Sequence, residues 1–308
     1  MKHWKYLSAG DIVDVIAPSS YTSKKNLKAG VEYLKSLGLV VRMPKDLVRP
    51  DFVYANNTKK TLEHMKKAFY SKDSKAVWCL RGGSGGFRLM NELYKWKKPK
   101  HKKIFIGISD TTFIHLFLNQ KWGWATLHAP MVSMLGPKKT SRAEKKDLEK
   151  AIFGKSNKAV FNKLTPMNKA ALKAKKISSE IVGGNLCIVE STVGTFYGPK
   201  FAGKIVFLED IDERGYALER SLEHLRIAGA FKGIKAVVFG DFVGGEERDG
   251  KDLTMTALKR FAENSPFPVV RGVKSGHGAL VRTLPFKTHA DLFLGKKATL
   301  VVDTGGKS

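Results

Sequence analysis

Four short segments of this 308-residue chain carry side chains suited to covalent or acid–base chemistry. In Ile104–Thr112 (IFIGISDTT) an apolar strand ends on a serine and a helix begins at once. Such a turn exposes a hydroxyl at the carboxyl edge of a sheet, beside the N–H groups and partial positive charge of a helix N-terminus. Ser109 there is either a nucleophile or an ordinary helix N-cap, and the G-x-S-x-G spacing of one hydrolase class is missing. In Arg81–Gly86 (RGGSGG) a glycine-rich turn follows a strand, so its backbone can approach a phosphate, a carboxylate or an oxyanion. It lacks the G-K-[ST] ending of a P-loop and also reads as a plain tight turn.

The third segment, Ile205–Glu213, runs from an apolar strand into Glu209, Asp210, Asp212 and Glu213. These acids suit a metal site, an acid–base pair, the orienting carboxylate of a triad, or a solvated loop. The fourth is Ser275–Ala279, where His277 lies between two glycines on a loop. Of the other histidines, His115 and His128 follow apolar stretches and read as core, whereas His64, His224 and His289 read as surface positions. A serine, an acid and a histidine on separate segments make the inventory of a nucleophilic triad, although inventory alone does not decide.

The elements that must position these groups alternate in the first half. Apolar strands are expected at Ile12–Ala17, Leu39–Arg42, Ala76–Leu80 and Ile104–Ile108. Helices are expected at Asn26–Leu37, Thr58–Tyr70, Phe87–Tyr94 and Phe113–Asn119. This pattern predicts an α/β fold with a Rossmann-like parallel sheet at the N-terminus. Pro137–Lys176 is dense in lysine and low in strand signal, with a helix over Arg142–Phe153. The second half shows strands at Ile205–Leu208, Ala236–Phe239 and Leu300–Val302, and helices at Leu186–Val193, Leu218–Ala228 and Thr254–Asn264. The expected organisation is an N-terminal domain over residues 1–150, a basic crossover linker over 151–176, and a smaller, β-rich α/β domain over 177–308.

Composition is that of an ordinary globular protein except for charge: Lys and Arg number 55 against 28 Asp and Glu, a net +27. That balance favours anionic partners such as acidic cell-wall material, but no motif supports specific nucleic-acid recognition. Cys79 and Cys187 sit in apolar runs and read as small buried hydrophobes. The stretch Ile12–Ala17, interrupted by Asp14 and closed by Pro18, reads as a strand and not as a signal-peptide core. No run approaches a membrane span, and the expected compartment is the cytoplasm.

Taken in order, Gly10–Ser19 (GDIVDVIAPS), Trp78–Gly83 (WCLRGG), Ile106–Thr112 (IGISDTT), Gly183–Leu186 (GGNL), Phe207–Asp210 (FLED), Gly276–Gly278 (GHG) and Thr283–Pro285 (TLP) resemble the LD-carboxypeptidase family of serine peptidases. That family comprises the murein tetrapeptide carboxypeptidases and the related microcin C self-immunity peptidases. The resemblance implies Ser109 as nucleophile, Glu209 as triad acid and His277 as base. It further implies an oxyanion hole from the backbone N–H groups of Asp110 and Gly83, and substrate contacts from Arg81, Ser84 and Asn185. It implies no metal or other cofactor, a murein tetrapeptide or muropeptide substrate cut before its terminal D-alanine, and a homodimer. Arg81, Arg88 and nearby lysines are the candidates for binding the substrate's free carboxylate. Ser84 stands where the family has an aromatic residue, Glu190 lies in a helix that is otherwise apolar, and Phe286–His289 replaces a glycine-containing segment. The rival readings are a peptidyl-nucleotide amidase of the same fold, a non-enzymatic binder of polyanions or cell wall, and a basic nucleic-acid-binding protein.

Overall fold

Residues 4–136 and 140–305 are described by the computed structural model. The chain divides into two units. The first runs to Asn157 and takes in Arg282–Leu284 and the tail from Thr304, and the second comprises Lys158–Val281 and Pro285–Asp303.

The first unit is built on five parallel strands: β1 (Ile12–Ile16), β2 (Val40–Arg42), β3 (Ser74–Cys79), β4 (Ile104–Gly107) and β5 (Thr126–His128), in the order β2-β1-β3-β4-β5. The inner strands are nearly continuous apolar runs because both faces are covered, as parallel sheets require. Side-chain alternation separates the two faces of β4. Ile104 and Ile106 join a core that includes Val13, Val15, Trp78 and Leu127, packed by Val31 and Leu34 of helix α1 (Lys24–Ser36). Phe105 points the other way, into a cluster with Phe69 of helix α2 (Thr58–Tyr70) and His115. Caps set the helix starts: Ser23 accepts from Asn26 N–H and Asn57 from Lys60 N–H. The helix expected over Phe87–Tyr94 is a 3-10 turn, Phe87–Leu89, followed by α3 (Met90–Leu93). The one expected from Phe113 begins earlier, as a 3-10 turn over Ser109–Thr111, then α4 (Thr112–Phe117), then a π turn ending at Gly123. Helix α5 (Arg142–Ile152) completes the unit with a capping box between Ser141 and Glu144.

The second unit closes seven strands into a barrel. They are β6 (Lys158–Pro166), β7 (Lys176–Asn185), β8 (Ile205–Ile211), β9 (Ala236–Val243), β10 (Val269–Arg271), β12 (Thr288–Phe293) and β13 (Ala298–Asp303), in the order β10-β6-β13-β12-β7-β8-β9. The strand β11 (Leu284–Phe286) lies instead beside β5 in the other sheet. The run β7-β8-β9-β10 is parallel and the remaining pairings are antiparallel. Helices α6 (Lys169–Lys173), α7 (Leu186–Glu190), α8 (Gly215–Ile227) and α9 (Thr254–Glu263) belong to this unit.

The structure also differs from the sequence reading in the linker and at one histidine. The stretch expected as a linker over 151–176 holds a barrel strand: β6 pairs with β13 and β10, and only residues 153–157 connect α5 to it. Pro137–Lys139, which open the lysine-dense stretch, lie outside the described residues. His64, expected on the surface, is buried with its Nε2 3.0 Å from Asp46. His115 is core as expected: its ring bonds Thr126 and the Gly107 carbonyl, and burial lowers its pKa to about 4. Among the described residues no helix is long and apolar enough to cross a membrane.

Gly30 tests how tightly α1 is seated. A Cβ there would stand 2.0 Å from the Val132 carbonyl oxygen. Helix propensity alone favours Gly30→Ala by about 1 kcal/mol, but forced overpacking costs about 1–3 kcal/mol. We expect net destabilisation in urea unfolding, and stabilisation would show that α1 is not held against Val132.

Candidate active site

The chemistry-bearing residues fall into two groups, one in each unit. In the first, β4 ends at Gly107, Ile108 is extended, and Ser109 takes φ +65°. A left-handed serine costs roughly 1–2 kcal/mol and persists only where its surroundings enforce it. It also separates the two readings of Ser109. The true N-caps Ser23, Asn57 and Ser141 have φ near −65° and accept bonds from the turn, whereas Ser109 makes no such bond. Ser109 is therefore not a cap. Its backbone has the sharp strand-to-helix turn that projects a hydroxyl.

The glycine-rich turn lies directly against it. A Cβ on Gly82 would meet the Ser109 Cβ at 2.7 Å and its Oγ at 2.8 Å, so only glycine lets that backbone pass. Gly83, at φ +98°, is held by the turn after β1: Ser20 N–H donates to the Gly82 carbonyl at 3.0 Å, and Ser84 N–H donates to Ser20 Oγ at 3.1 Å. The Asp110 carboxylate completes the clamp, accepting from Gly86 N–H at 2.8 Å and from Ser19 Oγ. Burial raises the pKa of Asp110 against the opposing pull of those two donors. The sequence reading gives Ser19 and Ser20 no part in the site. Their signal was two hydroxyls placed immediately after a buried parallel strand.

Arg81 and Arg88 separate clearly. Arg88 donates to the Asn56 carbonyl and to Thr58 Oγ1, each at 2.8 Å, and lies 4.0 Å above the Tyr54 ring. Its guanidinium thus fastens residues 54–58. Arg81 donates to the Tyr21 carbonyl at 2.7 Å and is otherwise exposed, as is Ser84.

In the second unit Glu209 sits near the end of β8, where the register with β9 slips between Leu208 and Asp210. Such an irregularity re-aims a side chain. Glu209 is fully buried, and its Oε2 is 2.7 Å from Nδ1 of His277. The glycines around His277 have specific causes. A Cβ on Gly276, at φ +122°, would stand 2.6 Å from Glu209 Oε2, and one on Gly278 would stand 2.5 Å from Asp241 Cγ. Burial pulls the His277 pKa down, but the hydrogen bond and charge of Glu209 outweigh it, and the net shift is upward.

Asp210 faces away from this pair. It accepts from Asn185 Nδ2 and Cys187 N–H, each at 2.8 Å, and burial, then the Glu209 charge, pushes its pKa to about 7. Asn185, expected to contact substrate, also caps α7 by accepting from Ile188 N–H. Both ends of its amide are engaged within the unit, which makes it a positioning residue. Asp241 escaped the sequence reading. It lies on β9 beside the His277 loop, 3.6 Å from Lys274 Nζ, and burial raises its pKa. Its signal was an acid near the end of an apolar strand, FGD, as at Glu209. Among the described residues no three His, Cys, Asp or Glu side chains converge to hold a metal ion.

With this geometry in hand, comparison with known proteins places the chain. Residues 13–129 match the model of the LD-carboxypeptidase N-terminal domain and residues 178–292 that of the LD-carboxypeptidase C-terminal domain. The chain belongs to the LD-carboxypeptidase family, and is a peptidase. It is 31% identical over 303 residues to the probable murein peptide carboxypeptidase of Bacillus subtilis, covering 98% of this chain and 94% of that one. It is 27% identical over 279 residues to the murein tetrapeptide carboxypeptidase of Pseudomonas aeruginosa, covering 89% and 90%. The crystal structure of a muramoyltetrapeptide carboxypeptidase from Oxalobacter formigenes superposes with a TM-score of 0.83 at 26% identity, over 96% of this chain and 100% of that one.

The Glu209–His277 pair has a testable titration. Its folded pKa lies above the ordinary 6.5, so its contribution to stability is complete below that pH and is lost as pH rises through the folded value. Glu209→Gln removes the two largest raising causes and leaves burial, the largest cause of all, opposed only by the weaker pull of Asp210 and Asp212. We expect the His277 ring resonances to titrate above 6.5 in the wild type and below 6.5 in the variant. An unchanged midpoint would show that Glu209 does not govern the ring.

Proposed function

We propose that this peptidase is a serine LD-carboxypeptidase that removes the terminal D-alanine of murein tetrapeptides, with Ser109, His277 and Glu209 as its triad. The observation that carries the reading is the 2.7 Å contact between the buried Glu209 carboxylate and His277 Nδ1. A carboxylate on Nδ1 fixes the tautomer, leaves Nε2 to take a proton, and stabilises the imidazolium that results. The left-handed elbow at Ser109 supplies a nucleophile of matching type.

In the proposed reaction Ser109 Oγ attacks the carbonyl before D-alanine and its proton passes to His277 Nε2. The backbone N–H groups of Asp110 and Gly83 receive the oxyanion. His277 returns the proton to the departing amine, and the acyl-enzyme is then hydrolysed by water deprotonated by the same ring. Arg81, exposed beside the glycine-rich turn, is our choice for the substrate carboxylate, since Arg88 is committed to Asn56, Thr58 and Tyr54. The net +27 favours an acidic muropeptide.

A peptidyl-nucleotide substrate would need an aromatic side chain to hold its base, and the lysine-dense stretch offers only Phe153 and Phe161. Phe161 is buried on β6 and Phe153 packs against the first unit's core, so neither supports it.

The test is a disaccharide-tetrapeptide ending in D-alanine, followed by mass spectrometry. Wild type should release one alanine. Ser109→Ala and His277→Ala should each slow that release by roughly 10⁴-fold or more, as removal of a triad member does elsewhere. Release by Ser109→Ala at the wild-type rate would remove Ser109 from the chemistry. No release by any form would overturn the substrate assignment.

A further inference from the structure

The first unit carries a second concave site, at the opposite edge of its sheet from Ser109. A cavity of about 350 Å³ opens where β3 begins at Ser74 and β4 at Ile104. Ser109 follows the other end of β4, so this is the amino edge of parallel strands. The cavity is lined by Lys5, Lys72, Lys75, Lys100, His101 and Lys102, with Trp4 in its wall and no carboxylate.

We propose that this cavity binds a small anion carrying two or more phosphate groups. Three observations support it. First, the charge is unpaired. Some lysines elsewhere meet carboxylates, as Lys60 meets Glu63, Lys95 meets Glu92 and Lys176 meets Asp291, whereas this concavity gathers five and no acid. Among the described residues none of the five cavity lysines forms an ion pair, and the nearest acid in sequence, Asp73, is taken by Arg42. Second, the clustering is dense: five lysines and His101 line one concavity, two of the lysines coming from Lys95–Lys103, a stretch with six lysines in nine residues. Partial burial, and then the charge of nearby Lys98, lowers the Lys102 pKa. Helix α2 ends at Tyr70, and the partial negative charge of a helix C-terminus accounts for one lysine near it, not five. Third, the chemistry of the lining selects the ligand. Ammonium groups meet phosphate as point charges, whereas planar carboxylates are better matched by the guanidinium fork, and the lining has no arginine. Trp4, the lining's one ring of its size, is buried, so the wall offers no exposed platform for a base. A cavity of this volume seats a small ligand, and a concave wall of one sign focuses the field on it.

Isothermal titration with sodium tripolyphosphate at low ionic strength tests the site in the full chain. The wild type should bind one equivalent, weakening as salt is added. Replacing the exposed Lys72, Lys100 and Lys102 together with glutamine should weaken binding by about tenfold or more. A control removes equal charge from the exposed Lys200, Lys232 and Lys296 of the second unit and should leave affinity unchanged. Circular dichroism confirms that both variants are folded. Equal loss in the two variants would reduce the effect to diffuse charge and overturn the proposal. So would binding to phosphatidylglycerol vesicles without binding to tripolyphosphate, because that would mark a surface attraction and not a seat for a discrete anion.

Discussion

A fully buried carboxylate is the most demanding feature of the second unit. Removing an ion from water costs several kcal/mol, of order, unless a partner and hydrogen bonds offset it. Glu209 has no exposure, and the His277 ring is what makes its charge tolerable. The surroundings follow from that need. The strand slips register beside Glu209, Gly276 gives up its side chain so that the loop can reach Oε2, and Gly278 makes room for Asp241. Asp210, one residue on, cannot share the same solution. Its pKa near 7 shows a carboxyl that keeps a proton far more readily than usual, held to Asn185 and the start of α7 instead. Two adjacent acids thus acquire opposite duties from environment alone.

The first unit meets a different constraint, that of a left-handed serine. No single bond enforces Ser109. The turns after β1, β3 and β4 do so jointly: Gly82 presses on its side chain, Ser20 pins the glycine-rich turn, and the buried Asp110 carboxylate ties that turn to Ser19. Parallel strands deliver their carboxyl ends to one edge, so three turns distant in sequence can brace a single backbone conformation there. The fold's contribution here is stiffness at one residue.

Legibility in the sequence followed burial. The strands β1, β3 and β4 announced themselves because both faces are covered and their residues are mostly apolar. The barrel strands β6 and β12 did not, because their outward residues are polar: β6 reads KAVFNKLTP, with only Phe161 and Leu164 buried. In a lysine-rich chain that alternation looks like a solvated linker, and the domain boundary was misplaced for that reason. Ser109, Glu209 and His277 were visible because each ends or interrupts an apolar run at a glycine or an acid. What sequence could not give was which polar groups are already engaged. Asn185 and Arg88 look available in the sequence and are committed in the fold, whereas Asp241 looks incidental and packs against the His277 loop.

The same distinction governs how the net charge should be understood. A positive total of +27 says little by itself, because exposed lysines are mostly a solubility device. What carries information is where positive groups are gathered without acids. On much of the surface carboxylates sit against lysines, as Glu63 does between Lys60 and Lys67. At the amino edge of the parallel sheet they do not. Five lysines there share one concavity without an acid, an arrangement that an entering anion would complement. Because β4 separates that edge from Ser109, charge could accumulate there without disturbing the elbow, and the two ends of one strand could take on unrelated work.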